Sequence, residues 1–524
     1  MKKIYYNGNF ITLENNNIEA LLIEDGIIKK VGNKEEILHL KDKETKLINL
    51  EGNTMMPSFI DAHSHFSGVA NGLLKVNLED CRNFKDIQNK LKEYKSSHKI
   101  ADNVWILADG YDHNNLSEKK HPNKEIIDSV LPNNPVVLQH KSGHMGVFNS
   151  NGLKFFNITE HTASPGGGMI EKLDGKLTGY MEENSFLNYL KQVPMPDMED
   201  LLNAYEKAQD LYLSYGITTI QDGMAYPSMI PIYQNLVNSK KLKLDLVSYI
   251  EPKNREILFD TFSNSIRKYH NNFKLGGYKI FLDGSPQGRT AWMRTPYIDD
   301  SNYFGYNTMN NKDVEEAVKI AKDTNMQLLA HCNGDRAAEQ YINSIKNFEN
   351  NIAEIRPVMI HAQLVGIDQL PELKKYHIIL SFFIAHVFYW GDIHVNNFGY
   401  ERASKISPAR SALGQDILFT FHQDSPVINP NMFETIWCAV TRKTKSGITL
   451  GEDEKISVLD AIKAVTINSA YQYFEENTKG SIKEGKLANL IIVDKNPLEV
   501  NSDEIKNIKV LETLKEGKTL YRLN

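Results

Sequence analysis

At 524 residues, 41% of them hydrophobic and 24% charged, the chain has the composition of a soluble globular protein with ample core-forming capacity. A net charge of -6, with no basic stripe interleaved with aromatic residues, argues against a nucleic-acid partner. No apolar run reaches the ~18 residues of a membrane span or resembles a signal peptide, and three widely spaced cysteines without a CxxC fit free thiols in a reducing cytoplasm.

Residues 3–6, 10–13, 20–23 and 27–31 read as short strands, because Asn7-Gly8 and Asp25-Gly26 between alternating apolar residues are hairpin signals. Residues 490–493, 508–514 and 519–522 repeat that style at the other end. Neither end holds enough apolar residues for a core of its own. Segments 1–54 and 480–524 are therefore expected to form one small β-sandwich flanking a central domain, 55–479.

Within that domain, strand patterns at 55–63, 217–221, 244–250, 278–282, 327–331, 358–361, 378–383 and 417–422 are mostly separated by amphipathic helical stretches such as 201–213, 313–322 and 335–345. Eight such units predict an α/β fold, a (β/α)8 TIM barrel, whose active site lies at the C-terminal strand ends. Residues 66–200 interrupt the rhythm with strand candidates of their own at 104–108 and 135–140. They are too long for a loop and are expected to form a folded insertion over the barrel mouth. Gly166-Gly167-Gly168 reads as a turn, since no Lys-Ser/Thr follows it as in a phosphate cradle.

Five of the apolar runs end on groups that bind divalent metals. His63 and His65 are two apart, so an extended backbone points both imidazoles to one face. The others end at Asp283, His331, His361 and, on the last strand, His422 and Asp424. Each has an ordinary reading alone: an isolated His-x-His is a weak signal, one strand histidine is usually a satisfied core residue, and Lys279 and Asp283 could form a buried ion pair. Five strand ends in barrel order would need five separate excuses. Imidazole and carboxylate suit zinc and related first-row ions, and the pattern predicts a metal-dependent hydrolase. Cys332 follows His331 but faces the other way, as a structural thiol.

Burial should lower the pKa of Lys279, leaving a neutral amine able to add carbon dioxide; the resulting carbamate would bridge two metals. Asp424 would bind one ion, accept the proton of the metal-activated water, and pass it to a leaving nitrogen. His144, Asp283, His386, Tyr389, Trp390 and His422 are candidate substrate-pocket residues, with the aromatic group placed to wall an apolar leaving group.

The run from Pro57 to His65 resembles the first-strand motif of the amidohydrolase superfamily, and Gly480 to Leu490 resembles the segment returning the chain to the terminal sandwich, with Asn489 where Asp is usual. Lys279 to Ser285, His331 to Ala337, Phe382 to Asp392 and His422 to Val427 are similar to a subgroup that includes N-substituted formamide deformylase. The resemblance implies His63, His65, Lys279, His331, His361 and Asp424 as ligands of one or two divalent ions, with Asp424 also the proton shuttle. The expected activity is hydrolysis of a C–N bond in an N-substituted amide or formamide. Alternatives are deamination of a heterocycle and a non-catalytic regulatory or binding role on the same fold. The partner expected is a small-molecule substrate; a homo-oligomer is compatible with the sequence and not specified by it.

Overall fold

A computed structural model describes residues 2–14, 17–194, 196–348 and 352–523. Eight parallel strands lie side by side in chain order: β1 (Phe59–Ile60), β2 (Ile217–Ala225), β3 (Asp245–Ile250), β4 (Phe273–Phe281), β5 (Gln327–Cys332), β6 (Val358–His361), β7 (Ile379–Phe382) and β8 (Phe419–Phe421). Beyond the first and last strands the sheet curls until the chain meets itself. There His65 N donates to Ser425 O at 2.7 Å and Asp424 N to His63 O at 3.3 Å. The architecture is of the TIM-barrel type. β2, β3 and β6 are buried along their whole length, as expected of parallel strands covered on both faces.

The helices follow from their spacing. α1 (Asn311–Asp323) is capped by Asn310, whose side chain accepts from Asp313 N, and turns Val314, Ala317, Val318 and Ala321 inward. α2 (Asp335–Lys346) buries Ala337, Ala338, Tyr341, Ile342 and Ile345 in the same manner.

The expected strand over 55–63 is divided. Thr54–Pro57 pairs antiparallel with Leu490–Val493, and only Phe59–Ile60 joins the barrel, against β2. Thr54–Pro57 thus belongs to a five-stranded sheet with Asn9–Phe10, Leu490–Val493, Val510–Lys515 and Lys518–Arg522. A four-stranded sheet comes wholly from the N-terminal segment, and Tyr5, Leu21, Ile28, Met55, Leu490 and Leu514 share one apolar cluster.

At the N-terminal strand ends of the barrel, five buried charges form a network. Lys479 Nζ lies 2.6 Å from Asp245 Oδ2 and 2.7 Å from Glu475 Oε2; Lys515 is 2.9 Å from Asp245, and Lys274 pairs with Glu475.

Residues 69–207 form a second compact unit around a six-stranded sheet. Its strands include Ile106–Tyr111 and Val136–His140, close to the two expected there, and the glycine cluster forms a turn closed by Gly168 N donating to Pro165 O at 3.1 Å. All three cysteines are free and buried. Among the described residues no helix is long and apolar enough to cross a membrane.

Candidate metal centre

His63, His65, Lys279, His331, His361 and Asp424 converge at the C-terminal strand ends. Asp424, on the turn after β8, stands between two groups of imidazoles. Its Oδ1 lies 3.4 Å from His63 Nε2 and 3.3 Å from His65 Nε2, while Oδ2 is 3.9 Å from His361 Nε2. Lys279, from β4, brings Nζ to 3.3 Å from His63 Nε2, and His331 Nδ1 lies 3.1 Å from His361 Nε2.

The backbone is bent to achieve this. His361 and Asp424 adopt φ of 71° and 55°, left-handed conformations that cost non-glycine residues about 1–3 kcal/mol each. At Gly223 a Cβ would sit 2.5 Å from His63 Cε1, so only glycine admits the ring there. The far nitrogens are also engaged: His63 Nδ1 with Gln221 Oε1 at 2.5 Å, His361 Nδ1 with His422 Nε2 at 3.2 Å, and His422 Nδ1 with Ser381 Oγ at 2.9 Å. Such outer contacts orient metal-binding imidazoles.

Burial, and then the nearby Lys279, holds His63 well below the usual imidazole range and takes His331 down to about 3. Burial, followed by His331 and His422, does the same for His361. These rings are neutral near pH 7, each with one lone pair. Burial pushes the Asp424 carboxyl up, but His65, His422 and Lys279 outweigh it and keep it ionised. Burial lowers Lys279 to about 8, with Asp424 offsetting part of the effect.

The donor set fits a divalent metal. Asp424 Oδ1 is buried with no hydrogen-bond partner of good geometry among the described residues, yet faces two imidazole nitrogens. Neutral imidazoles and an ionised carboxylate are the ligand types for zinc-like ions. His63, His65 and Asp424 could hold one ion, His331 and His361 a second, with Lys279 beside the first. A cavity of about 600 Å³ adjoins Lys279, lined in part by Met224, Glu251, Phe281, Met309, Ala317 and Ile320.

A sequence model described as "Amidohydrolase family" matches residues 46–521. The chain belongs to the amidohydrolase family. It is 26% identical to YtcJ of Bacillus subtilis strain 168, with 99% of each chain covered, and 25% identical to N-substituted formamide deformylase of Arthrobacter pascens, covering 98% and 97%. Among solved structures it is similar to an uncharacterized metal-dependent hydrolase from Pyrococcus horikoshii OT3, with a TM-score of 0.78, 22% identity, and 96% and 99% of the two chains covered.

The other expected site residues of this amidohydrolase lie in different settings. Asp283 is not placed as a substrate contact: its buried carboxylate accepts from the backbone N–H groups of Trp292, Asn333 and Gly334. It therefore clamps the loops after β4 and β5, and forms no ion pair with Lys279 among the described residues. His422 supports His361 from behind. His386 opens helix α3 (His386–Phe398) and packs against Phe383 and Trp390 with ring centroids 4.7 and 4.5 Å apart; Phe383 in turn contacts His422 at 5.5 Å. Tyr389 is tied through its hydroxyl, which donates to Glu434 at 2.9 Å.

His144 belongs to the 69–207 unit, where its side chain is 60% exposed and 3.2 Å from Glu183. That unit also gathers Asp112, His113 and His140. However, Ser142 N–H donates to His140 Nδ1 at 3.0 Å, which places the neutral ring's proton on Nε2, toward His113. This cluster is thus joined by a hydrogen bond within itself.

Sequence reasoning missed Gln221, Asp222 and Gly223. The available signal was polarity continuing along β2, whose nine residues are all buried.

Proposed function

We propose that the protein hydrolyses the C–N bond of an N-substituted amide or formamide, with zinc as the metal and a carboxylated Lys279 bridging two ions. His63, His65, Lys279, His331, His361 and Asp424 would be the ligands. When bound, the metal supplies a water of depressed pKa and polarises the scissile carbonyl. The observation that carries the reading is Asp424, whose oxygens reach both imidazole groups while Oδ1 keeps an unused lone pair.

Asp424 takes one proton from the attacking water as oxygen adds to the carbonyl carbon. It then returns that proton to the leaving nitrogen as the C–N bond breaks, so that water and amide become carboxylic acid and amine. The relative named N-substituted formamide deformylase favours an amide over a ring C–N bond. The cavity beside Lys279 is mixed in character, with Met224, Phe281, Met309 and Ile320 lining part of it and Glu251, Lys253, Arg255, Asp313 and Glu316 the rest, so it offers an amine substituent both apolar and charged contacts. His386 and Trp390 would form another part of the wall.

The test is metal analysis of the purified protein combined with a panel of N-alkyl and N-benzyl formamides, following amine and formate release. Bound zinc with equimolar release of both products supports the assignment. Ammonia release from heterocycles without amidase activity replaces it with deamination, and metal-free inactive protein points to a binding role.

A further inference from the structure

The imidazole of His63 is set by a buried hydrogen-bond chain whose direction can be read link by link. Tyr473 Oη donates to Asp61 O at 2.7 Å, so toward Gln221, 2.8 Å away, the same oxygen accepts. Gln221 Nε2 therefore donates to Tyr473 Oη and also to Ala62 O at 2.8 Å, which uses both amide hydrogens. Its Oε1 is left as the acceptor, and it lies 2.5 Å from His63 Nδ1. The proton of neutral His63 must then sit on Nδ1. The lone pair is on Nε2, which faces Asp424 Oδ1 at 3.4 Å and Lys279 Nζ at 3.3 Å.

Every member of the chain is buried: Gln221 and His63 have no exposed surface, and Tyr473 retains 2%. Helix α4 (Ile467–Gln472) adds Gln472, whose Nε2 also donates to Ala62 O at 2.8 Å and whose Oε1 accepts from Thr420. Gly223 closes the other side of the ring.

We propose that Gln221, oriented by Tyr473, is a positioning residue for metal capture: it fixes the His63 tautomer so that Nε2 is a ready ligand before the ion arrives. This rests on the metal-site reading above but not on the amide substrate. The alternative tautomer would turn an N–H toward the ion and leave Gln221 Oε1 facing a lone pair.

The test uses the full chain with Gln221→Met, which keeps volume and removes the acceptor; Gln221→Glu, which keeps it; and Tyr473→Phe, which frees the amide. Zinc affinity is measured by chelator competition, and the visible absorption of the cobalt-loaded protein reports ligand geometry. Gln221→Met should weaken zinc binding about 10–100-fold and alter the cobalt spectrum. Gln221→Glu, which keeps the acceptor but loses both donors, should bind zinc more tightly than Gln221→Met, and Tyr473→Phe should fall between Gln221→Met and wild type. Wild-type affinity and spectrum in Gln221→Met overturn the proposal; if that variant does not fold, the same result in Tyr473→Phe does so. A wild-type protein that binds zinc but hydrolyses no formamide sinks the substrate assignment and leaves this inference standing. One that binds no zinc removes both.

Discussion

Replacing Lys279 with methionine should stabilise the metal-stripped protein while destroying its function. Lys279 is fully buried, and burial lowers its amine from 10.5 to about 8. The unfolded chain keeps the ordinary value, so the native state disfavours the charged form. Below about pH 8 the amine is protonated in both states, and folding bears the whole penalty. At about 1.4 kcal/mol per tenfold, the gap corresponds to roughly 3 kcal/mol. The penalty fades as pH rises from about 8 toward 10.5, where the unfolded amine also loses its proton.

Methionine matches the length of lysine without its charge, but forfeits the contacts of Nζ with the Phe281 ring at 4.6 Å and with His63 Nε2 at 3.3 Å, together worth about 0.5–2 kcal/mol. The net expectation is a gain of about 1–3 kcal/mol at pH 7 that shrinks by pH 10. Urea midpoints of chelator-treated wild type and Lys279→Met at both pH values measure it, with bound metal and formamide hydrolysis followed in parallel. Greater stability, lost activity and fewer metal equivalents are expected together. A variant less stable at pH 7, or a gain unchanged at pH 10, would refute the account of Lys279 as a buried amine whose charge is disfavoured by burial.

Asp424→Asn removes the proton carrier but keeps an oxygen donor. Formamide turnover should drop about 10²–10⁴-fold, with much of the bound metal retained in elemental analysis. Gly223→Ala places a methyl 2.5 Å from His63 Cε1, so titration with zinc should show weakened binding while circular dichroism stays native. At the other end of the barrel, Asp245→Asn leaves Lys274 and Lys479 on Glu475 and strips Lys515 of its buried carboxylate partner, and should cost about 3–5 kcal/mol in urea denaturation. Lys479→Met leaves two matched pairs and should cost less, about 1.5–3 kcal/mol. Burial pushes Asp245 up but Lys479 and Lys515 hold it below its ordinary value. Its stabilisation is thus present above about pH 4 and lost as pH falls further, and the Asp245→Asn deficit should narrow in acid.

The barrel was legible because its strands are short apolar runs with polar ends, a pattern that survives without knowledge of any partner. The convergence of the candidate donors was legible for the same reason: a histidine or aspartate closing a buried strand stands out against its neighbours. What pattern cannot carry is the identity of the partner. Thr54–Pro57 and Phe59–Ile60 read as one strand because alternation is the same in either sheet. Only the backbone pairing of Met55 with Ile492, and of Ile60 with Thr219, separates them. Asp283 looked like a site carboxylate, yet its three partners come from loops about 10 and 50 residues further along the chain. Gln221 was invisible because its meaning depends on Tyr473, which is 252 positions away.

The two ends of the barrel handle buried charge in opposite ways, and the contrast explains what each is for. At the N-terminal end Lys274, Lys479 and Lys515 are answered by Asp245 and Glu475 at contact distance, three ammonium groups interleaved with two carboxylates. At the C-terminal end the Lys279 amine, 3.3 Å from His63 Nε2, faces the imidazoles and a carboxylate oxygen of Asp424 that has no hydrogen-bond partner among the described residues, on a backbone held left-handed at His361 and Asp424. Each buried polar group left without a partner costs about 1–3 kcal/mol, and folding alone recovers none of it. A cation that satisfies these donors would return that energy, and at a thousandfold excess over its dissociation constant any ligand specific for the native state adds about 4 kcal/mol. The strand ends are thus assembled at a cost to the empty fold, and metal binding is the process able to offset it.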